Sequence, residues 1–190
     1  MGFIASGVRR DSSAYVHESV YLYGRVELGA FASLWPQVVA RAEAHDIHIG
    51  AFTNIQDFSM IHAGYESGTR IGEHCSVAHH CTIQGCQIGN NCVVGVGATI
   101  GDGCVIGDNC IIGAHTYLKD GSFIPPNSVV VGAPGRVVRA QDNFVNNRLN
   151  AFAYVRNAQA YRDGDYELWA RPEFQAEVQA ELNRLMNAPA

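Results

Sequence analysis

The sequence predicts an all-β solenoid, a parallel β-helix, followed by α-helices near the C-terminal end. Three observations predict it: aliphatic residues recur at every sixth position, a glycine or another small residue often follows them, and the pattern stops after Pro134. An α-helix or an alternating strand does not fit a six-residue period with regular glycines. A fixed short period indicates short strands joined by sharp corners and stacked coil upon coil.

The composition fits one compact domain and excludes several kinds of partner. The chain has 190 residues, of which 47% are hydrophobic and 16% charged, enough to bury a sizeable core. A net charge of −5 and the lack of a basic cluster argue against nucleic acid. No apolar run approaches the ~20 residues that span a bilayer, and the start lacks a secretory signal pattern. We therefore expect no membrane association and a cytoplasmic protein.

The six-residue repeat can be followed over most of the chain, with one five-residue step from Ile83 to Ile88. Two segments interrupt it, 41–48 and 63–70, and both follow the third face of a coil, which suggests the working side of the solenoid. The repeat positions, coil by coil, are Leu28, Leu34, Ala40; Ile49, Ile55, Ile61; Ile71, Val77, Ile83; Ile88, Val94, Ile100; Ile106, Ile112, Leu118; and Ile124, Val130.

The cysteines follow the same repeat and are predicted to be reduced core residues. Five of the six occupy the fifth position of a hexapeptide, where a small inward side chain is needed: Cys75, Cys81, Cys92, Cys104 and Cys110. Such residues act as small hydrophobes. Cys92 and Cys110 are expected to stack one coil apart, and a disulfide between them is the alternative. Reduced thiols fit a cytoplasmic location.

The last part of the chain is predicted to be helical, which divides it into a β-helix over 1–140 and a helical extension over 141–190. One helix has Phe144, Leu149, Phe152 and Val155 at helical spacing. A second begins near Pro172 and has Phe174, Val178, Leu182 and Leu185 on one face. We expect both helices to pack on the β-helix or on a neighbouring subunit. Recruitment of a partner by the last helix is an alternative.

Three residues are candidates for a metal site shared between subunits. His62 and Gln84 occupy equivalent positions one coil apart, so they should stack at the ~4.7–4.9 Å spacing of neighbouring strands and can approach one ion. His79 lies near a corner on the preceding face, so it must come from a neighbouring subunit. Imidazole ligands suit zinc, cobalt or ferrous iron.

The sequence resembles the γ-class carbonic anhydrases and their relatives among the hexapeptide-repeat proteins, from about Ala14 to Tyr161. The resemblance rests on several motifs: Trp35-Pro36; Asn54-Ile55-Gln56-Asp57 leading to Ile61-His62; Ile83-Gln84-Gly85-Cys86; Val131-Gly132-Ala133-Pro134; and Arg136-Val137-Val138-Arg139. It implies a left-handed β-helix with three hexapeptides per coil, a C-terminal helix, a homotrimer, and a metal held by three histidines from two subunits.

By position, His62 and His79 match two of those histidines, but Gln84 stands where the family has the third. An amide oxygen is a weaker ligand than imidazole, so the resemblance implies a zinc, cobalt or iron site that is weak or lost. His80 is the alternative third ligand, although adjacent residues in an extended chain point apart.

The resemblance also assigns supporting roles. Gln56 matches the residue that hydrogen-bonds water or bicarbonate at the metal, and Asn54 and Asp57 support it. The sequence Arg41-Ala42-Glu43 replaces the family's Arg-Gly-Asp and keeps the charges of an interface ion pair. Glu66, in the second interruption, is a candidate proton shuttle, with an ordinary solvated residue as the alternative.

Three functions follow as hypotheses. The first is metal-dependent hydration of carbon dioxide to bicarbonate by a homotrimer. The second is a non-catalytic binding or scaffold protein of the same fold, because Gln84 alters the metal site. The third is a coenzyme-A-dependent acyltransferase in which His115 or His79 acts as general base.

Overall fold

The computed structural model describes residues 1–187 as a parallel β-helix of about 7 turns followed by two α-helices, which confirms the expected fold class. Residues 188–190, the last three of the predicted helical extension, lie outside the described part. The strands are Phe3–Ile4 (β1), Arg9–Arg10 (β2), Tyr15–Val16 (β3), Tyr21–Leu28 (β4), Ser33–Leu34 (β5), Val39–Ile49 (β6), Asn54–Ile55 (β7), Met60–His62 (β8), Thr69–Ile71 (β9), Ser76–Val77 (β10), Thr82–Gln84 (β11), Gln87–Ile88 (β12), Val93–Val94 (β13), Thr99–Ile100 (β14), Val105–Ile106 (β15), Ile111–Ile112 (β16), Tyr117–Leu118 (β17), Phe123–Ile124 (β18), Ser128–Val131 (β19) and Arg136–Ala140 (β20).

The strands pair in the register that the six-residue repeat predicts. Residues one coil apart pair in parallel strands on three faces, and their side chains form the buried core. The first face stacks Leu28, Ile49, Ile71, Ile88, Ile106 and Ile124; the second stacks Leu34, Ile55, Val77, Val94, Ile112 and Val130; the third stacks Ala40, Ile61, Ile83, Ile100 and Leu118.

The solenoid differs from the sequence-based expectation in two places. Coils stack before Leu28, the first repeat position assigned within the predicted 1–140 β-helix, because Ile4 pairs with Leu22 and Arg10 pairs with Leu28. Residues 41–48 lengthen the coil, as expected, but they lie inside the continuous strand β6, which bridges the third and first faces, and do not form a loop. The extra residues are 43–46 of β6, because Gly24 of β4 pairs with Ala42 and Val26 pairs with Ile47. Gly24, whose φ is +79°, lies at this irregularity.

All six cysteines are buried and unpaired, as expected of packing thiols. Cys86 joins the other five because the five-residue step brings it two residues before Ile88, the same slot that Cys75 occupies before Val77. Burial raises the pKa of the Cys81 thiol to about 11. The Cys81 thiol therefore stays protonated at neutral pH.

The helical extension consists of α1 (Phe144–Arg162), a short 3-10 helix (Leu168–Ala170) and α2 (Pro172–Met186). Helix α1 lies on the second face, against β3, β5, β7 and β10 of the same chain. It buries Asn147, Ala151 and Ala158, whereas its large apolar residues stay half-exposed, so the apolar face does not pack on the β-helix of the same chain. In α2 the predicted face is the buried one, with Phe174 and Leu185 most enclosed. Neither α1 nor α2 has the length and apolar character needed to cross a bilayer.

Candidate functional site

The third face carries the column of side chains in which the sequence places two metal ligands. Gln84 of β11 pairs with His62 of β8, and His62 pairs with Arg41 of β6. Each follows an inward aliphatic residue by one position, so all three point outward from the face. His62 and Gln84 are each half-buried. The repeat therefore brings these two side chains together as the sequence predicts.

His62 also contacts the acidic residue of the predicted interface pair. Its Nε2 lies 3.1 Å from Oε2 of Glu43, whose other oxygen accepts a hydrogen bond from Nη1 of Arg41. Burial acts to raise the pKa of Glu43, but its backbone N–H, Arg41 and His62 outweigh this and hold that pKa below its usual value. Glu43 is therefore ionised and accepts a hydrogen bond from Nε2–H of His62.

Gln84 is fixed by a carboxylate that sequence reasoning missed. Its Nε2 donates a 2.6 Å hydrogen bond to Oδ2 of Asp102. Asp102 occupies the coil after Gly85, and its side chain fills space that a Cβ at Gly64 or Gly85 would invade. The repeat register could have predicted this contact, since Asp102 lies one coil beyond Gly85, the residue next to Gln84. With its nitrogen engaged, Gln84 keeps Oε1 as its free polar atom.

His79 lies at the corner between the second and third faces, directly above Asp57 in the stack. Nδ1 of His79 donates to Oδ2 of Asp57 across 3.0 Å, which leaves Nε2 as the ring nitrogen with a free lone pair. Tyr154 of α1 stands near this corner: burial first, and then the charge of Asp57, raise the pKa of Tyr154 to about 12. The corner therefore carries a histidine, His79, whose ring is oriented by the carboxylate of Asp57.

Asn54 and Gln56 form a second polar pair on the second face, beside this corner. Nε2 of Gln56 donates to Oδ1 of Asn54 at 2.9 Å, and Nδ2 of Asn54 donates to Oγ of Ser76 at 2.8 Å. Both amides are almost fully buried. The chain of donors fixes the orientation of Gln56.

The remaining candidates are less enclosed. Glu66 is exposed in the segment after β8, on the edge where His62 lies. His80 stacks on Phe58 with ring centroids 4.9 Å apart, so its ring is occupied with Phe58 instead of lying beside His79. His115 is exposed at the same corner, two coils beyond His80.

His79 and Gln84 stand at opposite ends of one face, so they cannot share an ion within one chain. Five residues separate them along an extended segment, up to about 16 Å. Within residues 1–187, no three His, Cys, Asp or Glu side chains converge as metal ligands. A carboxylate that accepts from Nδ1 of a histidine, as Asp57 does, is the usual second layer of a metal site. The ligand atoms would be two imidazole nitrogens and one amide oxygen, divided between the His62–Gln84 pair and His79. This set fits a weakly held divalent ion only if a second subunit completes the site.

Comparison with known proteins agrees with this architecture. The family described as bacterial transferase hexapeptide (six repeats) matches residues 85–120. A probable carbonic anhydrase of Methanocaldococcus jannaschii is 39% identical over 143 residues, which cover 74% of this chain and 90% of that protein. The mitochondrial gamma carbonic anhydrase 2 of Arabidopsis thaliana is 28% identical over 159 residues, 80% of this chain and 57% of that protein.

Among solved structures, a putative acetyltransferase of Bacillus cereus superposes with a TM-score of 0.80 and 28% identity, over 82% of this chain and 92% of that one. The fold and the repeat define a hexapeptide-repeat β-helix protein. Within that class, the chain belongs to the γ-carbonic anhydrase-like family.

Proposed function

We propose that this protein is a trimeric carbonic anhydrase-like hydratase that interconverts carbon dioxide and bicarbonate at a divalent metal held between subunits. One subunit would supply His62 and Gln84, and its neighbour would supply His79. The observation that carries the proposal is the pairing of Gln84 with His62 on one edge, with the carboxylate-oriented His79 at the far end of the same face. The similarity to a probable carbonic anhydrase supports the substrate.

The side chains of this chain would prepare the site in stated ways. Asp57 holds Nδ1–H of His79, so that Nε2 is the ligand atom. Asp102 holds the amide nitrogen of Gln84, so that Oε1 would be the atom available to the ion. Glu43 accepts from Nε2–H of His62, so that Nδ1 of this ring would be the nitrogen available to an ion. When bound, the ion supplies the acidity that makes water a nucleophile near neutral pH.

Two further residues would handle the substrate and the proton. Gln56, fixed through its nitrogen by Asn54, would accept a hydrogen bond from water or bicarbonate at its Oε1. Glu66 would exchange a proton with buffer, because it is an exposed carboxylate on the His62 edge.

The test compares the native protein with Gln84→His in metal content and in carbon dioxide hydration. We expect the native protein to retain zinc, cobalt or iron weakly, and Gln84→His to retain it more tightly and hydrate faster, since imidazole is the stronger ligand. Gln87→His is the matched control, because Gln87 is exposed on the first face, and it should behave as the native protein does. Loss of metal from both the native protein and Gln84→His would contradict the proposal.

The two other functions have observations of their own. A non-catalytic binding protein is favoured by the amide at position 84, and metal binding without hydration, even in Gln84→His, would support it. An acyltransferase is favoured by the similarity to a putative acetyltransferase and by the exposed His115. Calorimetry with acetyl-coenzyme A tests this function, and no binding at millimolar ligand would exclude it.

A further inference from the structure

A cavity of about 400 Å³ lies at the corner between the first and second faces, beneath α1 and α2. This corner is distinct from the one that carries His79. One wall is a stack of aromatic rings from three successive coils, Phe31, Phe52 and His74, with ring centroids 5.2 and 4.5 Å apart. The volume lies in the range of pockets that bind small molecules.

The opposite wall comes from α1 and explains why that helix keeps large apolar residues away from the β-helix. Phe152 and Val155 are half-buried and line the cavity. They belong to the face of α1 that the sequence predicts to be buried. The cavity is thus walled mainly by carbon on both sides, which favours a ligand with an apolar body.

The charges that line the cavity do not balance. Arg156 binds Glu177 through Nε and Nη2, at 2.7 and 3.1 Å, and Arg184 binds both oxygens of Glu181 at 2.7 Å. Arg148 has no carboxylate within ion-pair distance among residues 1–187. Its Nε is buried without a hydrogen-bond acceptor in the same part of the chain. A buried donor of a charged group without an acceptor is costly.

The acidic neighbours of Arg148, Glu73 and Glu181, lie outside ion-pair distance and offset its burial only in part. Burial, followed by repulsion from Arg184, lowers the pKa of the Arg148 guanidinium. His74 is neutral at pH 7, because burial and then Arg148 lower its pKa to about 4. One unmatched cation therefore stands at the wall of an apolar cavity.

We propose that this cavity binds a small organic carboxylate with an aromatic or short aliphatic body. The carboxylate would pair with the guanidinium of Arg148, which lines the cavity, and the carbon body would lie between the aromatic corner and Phe152 and Val155. A neutral apolar ligand would leave Arg148 unmatched, and an inorganic anion would leave the carbon walls unfilled. The site is independent of the proposed hydratase, with which it shares no residue.

The test uses 2-naphthoate, followed by its own fluorescence, and hexanoate, followed by calorimetry, on the full-length protein. At least one of them should bind the native protein, and Arg148→Gln should weaken that binding by about tenfold or more, the effect of a lost hydrogen bond to a charged group. The neutral analogue 2-naphthamide should bind more weakly and should not respond to Arg148→Gln. Arg162→Gln is the matched control: it alters an exposed arginine of α1 outside the cavity and should leave affinity unchanged.

A second variant protects the test against misfolding. Val155→Phe keeps Arg148 but fills the cavity, so it should abolish 2-naphthoate binding while the melting temperature stays near that of the native protein. The proposal is overturned if neither carboxylate binds the native protein at millimolar concentration. It is equally overturned if binding survives both Arg148→Gln and Val155→Phe.

Discussion

Gln84 is the residue on which the chemistry of the proposed site depends. Its amide oxygen is free because Asp102 binds its nitrogen at 2.6 Å, and the pairing with His62 places that oxygen beside an imidazole. A neutral oxygen ligand holds zinc less well than the imidazole that stands there in the family. Orientation by Asp102 partly offsets that loss, because an amide that rotates freely would present its N–H₂ group to a cation half of the time.

Changing the partner of Gln84 should therefore weaken metal binding without touching a ligand. Asp102→Asn replaces the carboxylate by a neutral and weaker acceptor, so the amide of Gln84 is held less firmly and turns its nitrogen outward more often. We expect metal affinity to fall by about 10–100-fold, as for other second-layer changes. Competition with a chromophoric chelator measures this. Asp108→Asn, which alters a carboxylate at another corner, should leave affinity unchanged, and an unchanged affinity in Asp102→Asn would refute the role of Asp102.

His74 should make stability depend on pH in a defined window. Its pKa is about 4 in the folded protein, against 6.5 for an ordinary histidine. The unfolded chain then binds more protons than the folded one between these values, so stability falls as pH decreases from 6.5 to 4.

His74→Phe should flatten this dependence, since a phenyl ring extends the stack of Phe31 and Phe52 without titrating. The measurement is the melting temperature between pH 4 and pH 7, at one subunit concentration. His115→Phe, at an exposed corner, should keep the native slope. An equal slope in the native protein and His74→Phe would show that His74 does not carry the effect.

At the scale of elements, helix α1 shows how packing overrides hydrophobic periodicity. The second face of the β-helix is polar where α1 lies, with Ser33, Asn54 and Ser76 buried beneath it. Such a surface requires close approach and hydrogen bonds, so α1 turns Asn147 and Ala151 toward it. Asn147 donates to the carbonyl oxygens of Asn91 and Cys110, at 2.9 and 3.2 Å.

Enlarging the small residue in this contact should destabilise the protein. Ala151 is fully buried, so Ala151→Leu forces α1 away from the β-helix and should cost about 1–3 kcal/mol of unfolding free energy. Ala153→Leu, at a half-exposed position of the same helix, should change it by less than about 0.5 kcal/mol. Urea denaturation at a fixed subunit concentration measures both. Equal costs would mean that α1 does not pack through Ala151.

The sequence predicts the structure well where the six-residue repeat governs many residues. It predicts the structure poorly where the packing depends on a few local contacts. The six-residue period predicted the strand of every coil from Leu28 onward. It also predicted the pairing of His62 with Gln84, because the repeat register determines which residues are neighbours in successive coils. The period could not be recognised before Leu28, because Arg10 occupies a position where other coils carry aliphatic residues. The contact of Glu43 with His62 could not be predicted, since it depends on how β6 accommodates its extra residues.

At the scale of the whole molecule, the core thiols follow from the solenoid geometry. All six lie inside the coils, so Ellman's reagent should titrate none in the native protein and all six in denaturant. Buried, reduced packing cysteines should show this difference. Detection of a disulfide by mass spectrometry under non-reducing conditions would contradict it.

The proposed hydratase depends most directly on one feature, a metal site shared between two subunits. Separate His62→Ala and His79→Ala proteins should each lose the metal. When the two are unfolded together and refolded at equal concentration, a mixed trimer regains one site, formed by the subunit that keeps His62 and the neighbour that keeps His79. Random assembly should therefore restore about a quarter of the native metal content. Restoration to that level is the predicted result of metal analysis, and no restoration in mixed trimers of native mass would contradict the shared site.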